Sequence, residues 1–121
     1  MDIGKMKEDN TFYNGFEGEP EVDFMYGDLC LKIWDGYIYA LMEKAPLDGK
    51  GWHGMTHDYH EFCGPWDTDE ADVDSTEYLN DLKQYKSYTF EDANVTKVLD
   101  RLLDLFSKAS KDNAKVHVVV C

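Results

Sequence analysis

The chain is predicted to be an α+β domain, a mainly antiparallel sheet with two helices packed on one face. Three observations predict it. Two turn dipeptides, Gly27-Asp28 and Asp35-Gly36, separate short runs of strand-forming residues. An apolar stripe at helical spacing runs from Val95 to Ala109, and the stretch Lys115 to Val120 is rich in valine. At 121 residues the chain is long enough to bury a sizeable core, so a single globular domain over 1–121 is expected.

Residues 1–18 are expected to form a flexible N-terminal segment. From Val22 the two turns define a three-stranded meander. If each turn is a two-residue loop, Val22 pairs with Ile33 and Phe24 with Leu31, and the next hairpin pairs Ile33 with Ile38, Leu31 with Ala40 and Leu29 with Met42. These positions make one apolar face, place Asp23 opposite Lys32, and gather Trp34, Tyr37 and Tyr39 on the reverse face. A one-residue slip would turn the whole apolar set outward, so the register is strongly specified.

Residues 44–75 read as a long acidic, histidine-containing loop, punctuated by Pro46, Gly49, Gly51, Gly54, Gly64 and Pro65. Only Met55 to Phe62 can hold a further strand or a short helix. Asp74 is placed as an N-cap with Glu77 three residues on, ahead of Tyr78, Leu79, Leu82 and Tyr85, which predicts a helix over about 75–86. Thr89 as N-cap with Asp92 at N3 then opens a second helix, whose stripe is Val95, Val98, Leu99, Leu102, Leu105, Phe106 and Ala109. The run from Lys115 closes the fold as a strand suited to a sheet interior.

Charge is the main pointer to function. The formal net charge is −13, and seven acidic side chains (Asp67, Asp69, Glu70, Asp72, Asp74, Glu77 and Asp81) follow one another without a Lys or Arg among them. A field of this sign disfavours nucleic acid as a direct ligand and attracts basic surfaces. Acidic runs are also often no more than solvated loops, and Asp74, Glu77 and Asp81 have an ordinary use at the positive end of a helix. Asp67 to Asp72 have no such duty.

His53, His57, His60 and Cys63 form the one cluster with metal-ligand chemistry. On a helix the three histidines make an i, i+4, i+7 stripe, but the glycines at 51 and 54 disfavour that helix, and zinc sites normally join two close pairs of ligands. An imidazolium near Cys63 would lower its thiol pKa, although the fold, not sequence proximity, makes a catalytic pair. The acidic run fails the calcium-loop pattern, with Ala71 where the fifth ligand belongs and Tyr78 at the twelfth position. No phosphate loop, nucleophile elbow or HExxH occurs, so no catalytic residue, enzymatic activity or cofactor is predicted.

The three cysteines, Cys30, Cys63 and Cys121, are odd in number and match no disulfide framework, which suits a reducing compartment. With no signal-like or membrane-spanning apolar run, the expected address is cytoplasmic, without a membrane partner. The leading expectation is a small acidic binding protein that neutralises a basic protein, such as a nuclease toxin, by occlusion. Asp67, Asp69, Glu70, Asp72 and Asp74 would pair with its Lys and Arg, and Trp34, Tyr37, Tyr39 and Trp66 would anchor an apolar centre. In charge and size the chain resembles the acidic antidotes of bacterial toxin systems and phage-encoded inhibitors, without a family motif. The alternatives are a zinc-type or small hydrolytic domain using His53, His57, His60 and Cys63, and an accessory module with no site.

Overall fold

The structure, a computed structural model, describes residues 7–45 and 51–121. It is an α+β fold. Strands β1 (Lys7–Phe12), β2 (Glu21–Tyr26), β3 (Leu29–Trp34), β4 (Glu70–Asp74) and β5 (Lys115–Val120) form one sheet in the order β1-β3-β2-β5-β4. Among the described residues five α-helices accompany them: α1 (Asp35–Met42), α2 (Gly54–Glu61), the single-turn α3 (Pro65–Thr68), α4 (Ser75–Lys83), which continues into a 3₁₀ turn (Gln84–Ser87), and α5 (Ala93–Lys111).

The first hairpin has the expected register. Val22 faces Ile33, Asp23 faces Lys32 and Phe24 faces Leu31, across the Gly27-Asp28 turn. The second hairpin does not exist, because Asp35-Gly36 opens α1 instead of turning the chain back. Tyr37, Ile38, Leu41 and Met42 are buried together, and that spacing is helical, whereas the expected meander used Ile38, Ala40 and Met42 at a period of two. Gly36 is required for a different reason than a hairpin turn: the Trp34 indole folds over it, and a Cβ there would meet the ring at 2.3 Å.

β1, not a third meander strand, lies on the other side of β3. β5 pairs antiparallel with β2 on one side and with β4 on the other, so its valines lie in the sheet interior, as expected. The sheet is mixed, since β1 runs parallel to β3, with a register shift between Asp9 and Phe12. Residues 7–12 of the expected flexible segment are therefore a strand. Most of the expected long loop is likewise structured, as α2, α3 and β4; residues 1–6 and 46–50 of these two segments lie outside the described residues.

α4 begins where the sequence places it, with the Asp74 carboxylate accepting from the Glu77 N–H at 2.9 Å. α5 begins later than expected. Asp92 is its N-cap and accepts from the Asn94 N–H at 2.8 Å, while Phe90, just beyond Thr89, is buried in the core. All seven residues of the α5 stripe are buried. They share one apolar cluster with Val22, Phe24, Leu31, Ile33, Val73, Val116 and Val118 from the sheet and Tyr78, Leu82 and Tyr85 from the α4 region. Each large side chain taken from water contributes roughly 1.5–3 kcal/mol, so this cluster is the main stabilising feature of the domain. Among the described residues, no helix is long and apolar enough to cross a membrane.

Candidate functional site

Strand alternation sends Val22, Phe24, Leu31, Ile33, Val73, Val116 and Val118 into the core and a mixed, largely charged set to the reverse face. Across that reverse face one row runs Glu70, Val119, Asp23, Lys32, and the next runs Asp72, His117, Met25, Cys30, Glu8. β4 carries the middle of the acidic run to the outer edge of the sheet. Asp67 lies in α3, Asp69 in the left-handed turn after it (φ 71°), and Asp74 caps α4. Asp67, Asp69, Glu70, Asp72 and Asp74 are all exposed.

Among the described residues no Lys or Arg pairs with these five carboxylates. His117 bridges two of them, with Nδ1 at 2.8 Å from Asp72 and Nε2 at 3.4 Å from Glu70. Its pKa is raised, chiefly by the hydrogen bond to Asp72, with Glu70 adding to it against the opposing effect of desolvation. No feature of the sequence singles out His117; the return of β5 beside β4 sets it there.

Deeper in the sheet, Lys32 stands among three carboxylates, at 3.4 Å from Glu21, 3.8 Å from Asp23 and 4.0 Å from Glu8. Asp23 is only 6% exposed, and its Oδ1 has no hydrogen-bond partner among the described residues. Burial, followed by the neighbouring Glu21, pushes the Asp23 carboxyl up to about 7 despite Lys32. The charge pair Asp23–Lys32 is legible from the hairpin register, but the crowding by Glu8 is not, because it depends on β1 lying parallel beside β3.

The histidine cluster resolves into separate local roles. α2 places His57 and His60 on a helix after all, preceded by His53. The glycine at position 54 tolerates this because it is a point of close approach: its φ is +54°, and a Cβ would sit 2.7 Å from the Glu77 carbonyl oxygen and 2.8 Å from Asp81 Cβ. His57 bonds the neighbouring Asp58 at 3.1 Å. His60 Nε2 lies 3.0 Å from the Met42 carbonyl oxygen at the end of α1, with its ring stacked on Trp52. Cys63 Sγ donates weakly to the Glu61 carbonyl at 3.6 Å. No group of three or more His, Cys, Asp or Glu among the described residues is arranged to hold a metal ion.

Asp81, the last of the acidic run, is an internal cap rather than a surface charge. It is buried and accepts from the Thr56 N–H at 2.9 Å and the Thr56 hydroxyl at 2.7 Å, at the start of α2. Desolvation raises its pKa, and the Thr56 and Gln84 hydrogen bonds oppose that rise. Beside it, a groove of about 610 Å³ opens between α2 and α4, bordered by His53, His57, Glu77 and Gln84.

The aromatic residues also divide. Trp34 stacks on Phe16 with centroids 4.0 Å apart and meets Tyr37 edge-on, and Tyr37 is buried with its hydroxyl accepting from Asn94. These two build an internal aromatic cluster at the end of β3 in place of a meander's reverse face. Tyr39 is 56% exposed. Trp66 is half-buried against Tyr59, and its indole N–H has no hydrogen-bond partner among the described residues. Next to it Phe62, which nothing in the sequence singles out, is 73% exposed and held at φ 55° at the end of α2. Asp35, Tyr59, His60, Phe62 and Trp66 border a hollow of about 300 Å³, and burial there raises the Asp35 pKa. The acidic run starts at the rim of this patch, one residue after Trp66.

No family model matches the chain, and searches of the curated proteins and of the solved structures likewise return no match.

Proposed function

We propose that the protein is an acidic binding module that captures a basic protein and covers the surface which that partner uses to hold phosphates. A nuclease toxin or another nucleic-acid-binding protein is the class of partner this fits. The observation that carries the reading is the state of Asp67, Asp69, Glu70 and Asp72: exposed, adjacent, and without a Lys or Arg partner among the described residues. Carboxylates left uncompensated in this way raise a focused negative potential, which speeds encounter with a positive surface. The neighbouring Phe62 and Trp66 supply aromatic area of the kind that holds a complex together once formed. An aromatic residue kept exposed in the left-handed region costs about 1–2 kcal/mol of backbone strain, and such strain gathers at functional positions.

The test uses the wild-type chain and a fourfold variant, Asp67→Asn, Asp69→Asn, Glu70→Gln and Asp72→Asn, as baits. The wild type should retain a basic protein that the variant loses. Binding of that purified protein should weaken at least about tenfold between 0.05 and 0.5 M salt, mainly through the association rate. Equal capture by both baits at low salt would exclude this surface as the interface.

A further inference from the structure

β4 is the outer strand of the sheet, and one contact gives its hydrogen-bonding phase: the Val120 N–H donates to the Asp69 carbonyl at 2.7 Å. Bonded and non-bonded pairs alternate along an antiparallel ladder. Ala71 and Val73 therefore turn their backbone groups toward β5, and Glu70, Asp72 and Asp74 turn theirs outward. The Glu70 carbonyl is taken by the Thr68 hydroxyl at 2.8 Å, and Asp74 passes into α4. What remains on the outer side is the N–H of Glu70, both groups of Asp72 and the N–H of Asp74, with no strand beside them among the described residues. These same three residues carry the carboxylates of β4.

Open sheet edges are templates for strand addition, and proteins protect them with irregularity, cover or charge. The opposite edge, β1, is irregular, with its register shift between Asp9 and Phe12, and Arg101 reaches across to Asp9. β4 pairs with β5 in unbroken register from Glu70 to Asp74, so charge is its protection. That protection is selective. A second copy added here would set carboxylate beside carboxylate, which is unfavourable across strands, whereas a strand with Lys or Arg at alternate positions would set opposite charges together.

Resting on the acidic interface proposed above, we infer that β4 is a docking edge for an extended basic segment of the partner, which adds to the sheet beside Asp72 as a sixth strand. Backbone hydrogen bonds would hold the segment, and its alternate basic side chains would lie along Glu70, Asp72 and Asp74.

The probe is a capped heptapeptide, Lys-Val-Lys-Val-Lys-Val-Lys, compared with a heptapeptide of equal charge in which proline replaces each valine. The valine peptide should bind at least about tenfold more tightly, since proline removes donors and the strand conformation together. Amide hydrogen exchange should slow at Asp72 and Asp74 when the valine peptide is bound. The variant Asp72→Pro should lose a further several-fold relative to Asp72→Ala, because both lack the charge and only the proline lacks the outward N–H. A proline here is compatible with the β5 ladder, and circular dichroism checks that the variant is folded. Equal binding of the two peptides with unchanged exchange would overturn strand addition while leaving the acidic interface standing. Absence of peptide binding would also overturn it, and salt-sensitive capture of a basic protein by the wild-type bait would then show that the acidic surface acts without pairing a strand.

Discussion

Asp23 and Gly54 show how single residues carry the internal conflicts of this fold. A carboxyl whose pKa is raised in the folded state binds its proton more tightly than the unfolded chain does. The stability this provides is fully present below the unfolded value and is lost as pH rises through the folded one. Asp23, at about 7, shifts in that sense, and Asp81 and His117 are raised as well. The protein should therefore resist urea better at pH 5 than at pH 8, and Asp23→Asn should stabilise it at pH 8 more than at pH 5. A wild-type stability that climbs steadily from pH 5 to pH 8 would contradict this. Gly54→Ala should cost about 2–3 kcal/mol in urea unfolding, because the added methyl meets Glu77 and Asp81 and the left-handed backbone is strained as well. A cost under about 0.5 kcal/mol would mean that α2 is not held against α4 as described.

At the scale of elements, the ends of helices decide more than their middles. The apolar stripe of α5 reads directly from the sequence, yet two candidate caps, Thr89 and Asp92, stand ahead of it. Capping by Asp92 leaves Tyr88 extended and lets Phe90 enter the core. Asp92→Ala should accordingly destabilise the domain by about 1 kcal/mol and Thr89→Ala by only a few tenths, measured by thermal or urea unfolding. The reverse order would restore the earlier helix start. α1 shows the same ambiguity in another form, since Asp-Gly suits both a tight turn and a helix start. Apolar residues at Ile38, Leu41 and Met42 favour the helix, and the Trp34 ring over Gly36 secures it.

For the whole molecule, a net charge of −13 repels itself in the compact state. Screening should relieve that repulsion, so the melting temperature is expected to rise when salt increases from 0.05 to 0.5 M. A fall would mean that ion pairs such as Lys32 with Glu21 and Asp23 outweigh the repulsion. The fourfold variant at Asp67, Asp69, Glu70 and Asp72 removes carboxylates that repel one another, but it also removes the pairing of His117 with Glu70 and Asp72, so its stability relative to the wild type should improve as pH rises and His117 loses its proton.

Whatever depends on local periodicity can be read from the residues alone: the β2–β3 hairpin and its register, the α4 cap, the α5 stripe and the valine strand at 115–120. The acidic run was equally plain, because charge needs no fold to be counted. Which neighbours those pieces acquire is settled by packing. Placement of β5 between β2 and β4 set His117 against Asp72 and made Glu70 to Asp74 an edge. Docking of α2 on α4 made Asp81 an internal cap and dispersed the histidines among local partners. These are contacts between residues tens of positions apart, and they follow from how apolar faces pack together, which neither spacing nor composition encodes.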